Sequence, residues 1–270
     1  MLSNLAQWWR VLCRPPKVRL APPKAGEFVA IAVVLVAIVV SMFTFDAAAI
    51  NWARGLPQWF DDLFEQITDF GLSGWFLFPF GFVLLFLAAI TARALTQRTR
   101  AVLAALTVRF GFLFLAIAIP GLFVTLVKGL IGRARPYVGG HDDPFAYMPF
   151  TWQPEYASMP SGHSVTAASV AIAIGAIWPR TRGILWIYAL IIMFSRVVVI
   201  AHHPSDVIAG ALVGTVGAEL VRRWFAARGL LFSPIDLHAF AGPSLNQVVW
   251  AVRESLFRRK PVEKPQIPPS

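Results

Sequence analysis

Six apolar stretches limit what this 270-residue chain can fold into more than any other feature. A helix crosses the hydrocarbon layer of a membrane with about 17–25 mostly apolar residues, and shorter runs need neighbouring helices. The stretches run from Phe28 to Phe45, Leu72 to Ile90, Phe110 to Val127, Ser164 to Trp178, Ile184 to Ala201 and Val207 to Val221. Because 57% of the residues are hydrophobic and only 14% are charged, a single water-soluble globule is not expected. The sequence predicts an all-α integral membrane protein, a six-transmembrane-helix bundle.

The charges between the stretches predict how the bundle is oriented. Basic residues are enriched in the loops on the cytoplasmic side of a membrane. A six-span topology with both termini in the cytoplasm puts 19 basic and 5 acidic residues inside, and 5 basic and 9 acidic residues outside. The net charge of +10, which alone is also compatible with nucleic-acid binding, is explained by this orientation. No nucleic-acid partner is expected.

The first stretch admits two interpretations. Residues Ala47 to Ala49 follow an apolar run and resemble the small-residue cleavage site of a secretory signal. The basic region before the stretch is long for a signal peptide, so we favour an uncleaved membrane helix. Cleavage would leave the other five spans in the same orientation.

Three regions follow from this layout. Residues 1–26 form a basic amphipathic cytoplasmic segment, residues 27–222 the membrane domain, and residues 223–270 a basic cytoplasmic tail with an interfacial helix predicted at 243–259. Each terminal segment either lies in the membrane interface against anionic lipid or packs on the cytoplasmic face of the bundle. The single cysteine, Cys13, forms no internal disulfide and belongs to no Cys/His cluster, so a structural zinc site is not expected.

Polar residues gather at three places at the ends of the apolar stretches. Lys128–Pro136 closes the third stretch, Pro160–His163 opens the fourth, and Ser195–Arg196 lies toward the end of the fifth, shortly before His202–Asp206. Ionisable groups at membrane depth are costly and therefore point to function. In the predicted topology all three places lie at the outer interface.

The cations and the start of the fourth helix predict a phosphate site. Lys128, Arg135 and Arg196 are fixed cations suited to a group with several anionic oxygens. The backbone N–H groups of Ser161, Gly162 and His163 are expected at a helix start, where unpaired donors and the helix dipole bind anions. The predicted phosphate-binding residues are Lys128, Arg135, Ser161, Gly162 and Arg196.

Two histidines and an aspartate complete a site for phosphoryl transfer. We expect Asp206, four residues after His202, to hydrogen-bond one ring nitrogen and to leave the other free to attack phosphorus. His163 is expected to protonate the leaving oxygen and later to activate water. The scheme is a two-step displacement through a phosphohistidine, with no metal and no cofactor.

The neighbouring polar residues receive other interpretations. Arg133 is interpreted as an interfacial anchor at a helix end, and Ser195 as a residue packed within the bundle. Asp142 and Asp143 are interpreted as a solvated turn, and His203 is given no role.

The three clusters resemble the signature of the type 2 phosphatidic acid phosphatase superfamily, which also includes vanadium haloperoxidases. That pattern is Lys-x6-Arg-Pro, then Pro-Ser-Gly-His, then Ser-Arg-x5-His-x3-Asp. It matches here at Lys128, Arg135 and Pro136, at Pro160 to His163, and at Ser195, Arg196, His202 and Asp206. The resemblance covers about Pro57 to Arg222. It implies the same catalytic roles as above, and a lipid phosphate substrate at the periplasmic surface of a bacterial inner membrane.

The predicted activity is that of a metal-independent phosphoric monoester hydrolase acting on a lipid phosphate or diphosphate. Candidate substrates are phosphatidic acid, phosphatidylglycerol phosphate, undecaprenyl diphosphate and the phosphates of lipid A. The main alternative is a phosphotransferase that passes the phosphoryl group to a lipid or sugar hydroxyl. A vanadium haloperoxidase-like enzyme is less favoured because those relatives are soluble, and an inactive scaffold because the motifs are intact. The substrate lipid and the oligomeric state stay open.

Overall fold

The computed structural model describes residues 2–20, 22–90, 96–138, 143–233 and 250, and this part of the chain is helical. Arg133 and Tyr147 form an isolated antiparallel β-bridge. The helices are α1 (Leu2–Leu12), α2 (Ala25–Thr44), α3 (Asp46–Arg54), α4 (Gln58–Asp69), α5 (Gly74–Ala89), α6 (Gln97–Ile131), α7 (Gly162–Ile177), α8 (Arg182–Val198) and α9 (Pro204–Ala227). Short 3₁₀ turns occur at Pro154–Tyr156 and Pro179–Thr181.

The predicted apolar stretches coincide with six helices, namely α2, α5, α6, α7, α8 and α9, which confirms the all-α class. Five segments are long and apolar enough to cross a membrane: Ala25–Thr44, Gln58–Ala89, Thr99–Ile131, Pro179–Val198 and Pro204–Ala227. The helix α7 is apolar but has only 16 residues, or about 24 Å of length at 1.5 Å per residue. The number of six spans and their orientation stay predictions.

The helix α7 forms the centre of the bundle. It packs against α6, α8 and α9, and most of its side chains are buried. Close approach to α9 depends on two glycines, since a Cβ on Gly210 would collide with the carbonyl oxygen of Ser161, and one on Gly214 with that of Val165. Small residues four apart let membrane helices approach closely. This contact places the start of α7 beside the start of α9.

The N-terminal segment packs on the bundle beside the end of α9, and its predicted position relative to the membrane interface stays a prediction. The backbone N–H groups of Lys17 and Val18 donate to the carbonyl oxygen of Ala227 at the end of α9. Arg228 donates from Nε to the carbonyl oxygen of Leu12 at 3.1 Å and stacks on the Trp224 ring. The helix predicted at 243–259 lies, except for position 250, outside the described residues.

Candidate active site

The ends of four helices bring the three polar clusters together. Lys128 lies in the last turn of α6 and Arg196 in that of α8, while His163 and Asp206 lie in the first turns of α7 and α9. The backbone N–H of Ser161 donates to the carbonyl oxygen of Asp206 at 2.9 Å, which ties the second cluster to the third. The charges of Arg196, Lys128 and Arg135 all act on the His163 ring. The predicted site residues therefore share one region.

The segment after α6 is held by backbone hydrogen bonds on both of its sides. Gly132 ends α6 with φ +63°, and a Cβ there would overlap the backbone of Met148, so glycine is required. The Met148 N–H donates to the Gly132 carbonyl oxygen at 2.7 Å, and the Arg135 N–H to that of Glu155 at 2.8 Å. The Ser158 N–H donates to the carbonyl oxygen of Arg133 at 3.1 Å. These bonds fix Arg135 and Ser158 relative to each other.

His202 is connected to Asp206 through a third residue that the sequence did not indicate. Nδ1 of His202 lies 3.8 Å from Oδ2 of Asp206, so the expected direct hydrogen bond is absent. The hydroxyl of Ser158 donates to Oδ2 of Asp206 at 2.6 Å and lies 3.4 Å from Nδ1 of His202. Because the single hydrogen of that hydroxyl points at the carboxylate, the hydroxyl oxygen accepts a hydrogen bond from Nδ1–H. The relay leaves Nε2 of His202 with a free lone pair.

The protonation state of His202 suits a nucleophile. The ring is 1% exposed and lies in the short link between α8 and α9. Burial lowers the pKa of His202 to about 3, although Asp206 acts in the opposite direction. His202 is therefore neutral at physiological pH, and only the neutral imidazole can attack phosphorus.

Arg133 contradicts its interpretation as an interfacial anchor. Its side chain is fully buried, and Nη1 donates to Oδ1 of Asp206 while Nη2 donates to Oδ2 of Asp46. The anchor interpretation was wrong because the chain folds back over the end of α6 and encloses this position. Asp46, also fully buried, was missed as well. A carboxylate between two apolar runs was the signal that could have found it.

The three cations differ in how they are held. Arg196 is 7% exposed, and Nη1 donates to the hydroxyl of Thr68 in α4 at 2.6 Å. Its Nε is buried and has no hydrogen-bond partner among the described residues. Arg135 donates from Nε to the carbonyl oxygen of Pro154 at 3.0 Å, and Lys128 is half-buried. Thr68 is a further residue that the motifs did not indicate.

The start of α7 provides fewer amide donors than expected. Since the Ser161 N–H is already bonded to Asp206, the prediction that it is an open donor was wrong. The Ser161 hydroxyl, in contrast, is buried and without a partner in the described part of the chain. A Cβ on Gly162 would lie 3.5 Å from Nζ of Lys128, so the glycine leaves space beside the ammonium group. Gly162 and His163 supply the first-turn N–H groups.

A cavity of about 410 Å³ leads from these residues into an apolar space. Lys128, Gly162 and His163 line one part of it. Apolar side chains of the α5 and α6 region line the rest, and these include Leu72, Leu77, Ile117, Ala118, Leu122 and Val124. A charged group beside a hydrocarbon-like space suits a molecule with an anionic head and an apolar chain.

Comparison with known proteins identifies the family. A sequence model of the PAP2 superfamily matches residues 109–230. A lipid A 1-phosphatase of Rhizobium johnstonii is 36% identical over 202 residues, which cover 74% of this chain and 81% of that protein. The chain belongs to the PAP2 superfamily. The phosphatidylglycerophosphatase B of Escherichia coli K12 is 36% identical to this PAP2 protein over 88 residues, 30% of this chain and 34% of the relative.

The family match and the geometry divide the site into two sets. Every predicted catalytic and phosphate-binding residue of this PAP2 protein lies within residues 109–230, whereas Asp46 and Thr68 lie outside them.

Among solved structures, the crystal structure of Aquifex aeolicus LpxE has a TM-score of 0.47 and 23% identity, with 66% of this chain and 94% of that chain covered.

Proposed function

We propose that the protein removes a phosphate group from a membrane lipid by a two-step transfer through His202. Membership of the PAP2 superfamily, with a lipid A 1-phosphatase among its relatives, makes it a membrane lipid phosphatase and a phosphoric monoester hydrolase. The observation that carries the proposal is the cavity with Lys128 and His163 at one part and mainly apolar side chains along the rest. Such a cavity accepts the phosphate and the chain of one lipid molecule.

The first step transfers the phosphoryl group to the enzyme. Lys128, Arg135 and Arg196 neutralise the phosphate oxygens as charge develops on them. The neutral Nε2 of His202 attacks phosphorus, a nitrogen–phosphorus bond forms, and the bond from phosphorus to the lipid oxygen breaks. His163, whose ring holds a proton once the anionic phosphate is bound beside it, gives that proton to the leaving oxygen, so the lipid departs as an alcohol.

The second step releases phosphate. His163 is now neutral and accepts a proton from a water molecule, whose oxygen attacks phosphorus. The nitrogen–phosphorus bond breaks, inorganic phosphate leaves, and His202 returns to its neutral form. Asp206, through Ser158, keeps the proton on Nδ1 throughout, so the same nitrogen of His202 is free for the next cycle.

The substrate class we favour is a lipid A-type 1-phosphate. The Rhizobium lipid A 1-phosphatase matches 74% of the chain, whereas the phosphatidylglycerophosphatase B matches 30%. Phosphatidic acid, phosphatidylglycerol phosphate and undecaprenyl diphosphate remain in the panel of compounds to be tested.

The decisive experiment measures phosphate release by the detergent-purified protein from that panel, with and without EDTA. We expect the highest kcat/KM on a 1-phosphorylated lipid A, full activity in EDTA, and no turnover by His202→Ala. A new phosphorylated lipid without free phosphate would select the phosphotransferase instead. Activity lost in EDTA and restored by a divalent cation would overturn the metal-independent scheme.

We further propose that both termini are cytoplasmic and that the site faces the periplasm. The charge distribution supports this orientation. The position of the N-terminal segment also supports it, since α1 and the residues after it pack at the C-terminal end of α9. By helix length, that end lies about 36 Å from the start of α9, where the site residues are. In intact spheroplasts a membrane-impermeant maleimide should spare the exposed Cys13 and label a Cys13→Ser, Gln58→Cys variant. The reverse labelling pattern would invert the topology.

A further inference from the structure

Arg133 is a fully buried cation between two fully buried carboxylates. Nη1 lies 2.6 Å from Oδ1 of Asp206, and Nη2 lies 2.7 Å from Oδ2 of Asp46. Nη1 also donates to the hydroxyl of Ser205 at 2.6 Å, and Nε donates to the carbonyl oxygen of Pro144 at 2.9 Å. All three guanidinium nitrogens therefore have oxygen partners, an arrangement that a lysine ammonium group cannot reproduce.

The bond to Arg133 determines which oxygen of Asp206 serves His202. Oδ1 faces Arg133, while Oδ2 accepts from the Ser158 hydroxyl and from the backbone N–H of His203 at 2.9 Å. A carboxylate held at both oxygens cannot rotate. Burial acts to lower the pKa of Arg133, but Asp206 and Asp46 outweigh it and raise the pKa above its usual value. The cation therefore persists at every working pH.

Asp46 fixes Arg133 and the start of α9 together. Its Oδ1 accepts from the backbone N–H of Ser205 at 2.9 Å and from the hydroxyl of Ser41 at 3.1 Å. Its Oδ2 accepts from Arg133 and from the Ser205 hydroxyl. Since Asp46 begins α3 directly after α2, the first membrane helix is linked through it to the residue next to Asp206.

We propose that Arg133 is a positioning residue for the reaction, and that Asp46 orients it. The guanidinium group holds Asp206, Asp206 holds the Ser158 hydroxyl, and that hydroxyl directs Nε2 of His202 toward the phosphate. Arg133 is 0% exposed, so it does not bind substrate. The inference rests on the proposed function, because it assigns a role within the His202 step.

The test compares Arg133→Lys and Asp46→Asn with a matched control, Ser41→Ala, which removes one hydrogen bond to Asp46 and leaves Arg133 paired. Misplacement of a reacting group by about 1 Å costs on the order of 100-fold in rate. We expect kcat to fall about 10- to 100-fold in the two variants, with KM and the Ki of inorganic phosphate within about threefold of wild type. Vanadate, which must bond to His202, should bind at least about tenfold more weakly. Ser41→Ala should retain wild-type kcat.

The result separates positioning from mere stability. A fall in kcat with unchanged phosphate Ki, in protein that elutes and melts like wild type, supports the inference. Asp46→Asn with wild-type kcat overturns it, as does a loss of kcat and phosphate affinity in parallel with the melting temperature. Wild-type protein that releases no phosphate would overturn the proposed function, and this inference with it. Active wild type with an unaffected Asp46→Asn variant would overturn the inference alone.

Discussion

The two halves of the bundle contribute different kinds of residue to the site. Helices α6 to α9 carry the groups that we propose meet the phosphate, and this half contains the residues that match the PAP2 superfamily. The segment from α2 to α5 carries residues that contact this half from behind: Asp46 contacts Arg133, Thr68 contacts Arg196, and Gly71 lies against the His163 ring. The proposed reacting groups therefore occur in short motifs, while the residues that orient them lie far away in the chain.

The helices α7 and α5, one from each half, also differ in what surrounds them. In α7, 12 of 16 residues are buried, many of them alanine, serine or glycine, so this helix is enclosed by protein. In α5 only Leu87 and Ala88 are buried, and Phe78 is 80% exposed. Large apolar side chains on the outside suit contact with lipid, and a helix of small residues suits contact with other helices. The central helix α7 is thus enclosed by protein, whereas α2 and α5 present apolar surfaces that suit contact with lipid.

The largest expected effect tests the motif half. His202→Ala removes the attacking nitrogen, so no phosphoryl-enzyme can form, and kcat should fall about 10⁴-fold or more. Phosphate release and the amount of ³²P-labelled protein after a rapid quench measure the change. The Ki of inorganic phosphate should stay close to wild type, because the three cations remain. Residual turnover near the wild-type rate would show that another group is the nucleophile.

A smaller effect tests the half that orients the cations. Thr68→Val keeps the side-chain shape but leaves Nη1 of Arg196 without its hydroxyl partner. The bond holds the Arg196 guanidinium in place, and its loss should weaken phosphate binding by about 1.4 kcal/mol, which corresponds to an increase of about tenfold in the Ki of inorganic phosphate.

The matched control for this variant is Thr44→Val in α2, whose hydroxyl donates only to the carbonyl oxygen of Val40 in its own helix. Its phosphate Ki should equal that of wild type. Equal values for Thr68→Val and Thr44→Val would mean that α4 does not orient Arg196, and the contrast between the halves would weaken.

A third effect, about as large as that of Thr68→Val, tests the space between the halves. The Cβ of a side chain at Gly121 would meet no atom within 4 Å, so Gly121→Leu is accommodated and projects into the cavity beside Lys128. Displacing about two CH₂ groups of a lipid chain costs about 1.6 kcal/mol. We expect kcat/KM to fall about tenfold for long-chain lipid phosphates and to be unchanged for a dihexanoyl analogue.

Gly111→Leu is the control for that substitution. Gly111 is on the same helix and is equally open, but it lines a separate cavity of about 280 Å³ next to α1. Its kcat/KM should match wild type on both substrates. A decrease for Gly121→Leu that is the same with long and short chains would argue against a chain in this cavity.

The sequence left open whether the first membrane helix, α2, is cleaved off, and the structure favours its retention. Cleavage after Ala49 would remove Asp46 together with α2, and Arg133 would then face Asp206 alone in a buried position. Removing one partner of a buried ion pair is strongly destabilising. We therefore expect α2 to remain in the mature protein, and the intact mass of C-terminally tagged protein from membranes checks this. A mass that lacks residues 1–49 would contradict it.

Much of the site could be predicted because its signals are local. A motif such as Pro160–His163 combines a glycine, a helix start and a titratable ring within four residues. The failures were also systematic. Arg133 was taken for an anchor, the Ser161 amide for an open donor, and Asp206 for a direct partner of His202. Each error concerned a hydrogen-bond partner that lies far away in the chain. Ser158 is 44 residues from His202, and Asp46 is 87 residues from Arg133.

The sequence by itself determined that this protein is a helical membrane protein, and it predicted which residues would carry the chemistry. Both follow from local properties, since apolar length predicts a span and residue type fixes charge and nucleophilicity. Only the tertiary structure decided which groups hold Arg133, Arg196 and His202 in place. A buried charge must be compensated, but its partner is whichever group the packing brings near. Here the close contact of α7 with α9 and the return of α3 and α4 to the site selected Asp46, Thr68 and Ser158.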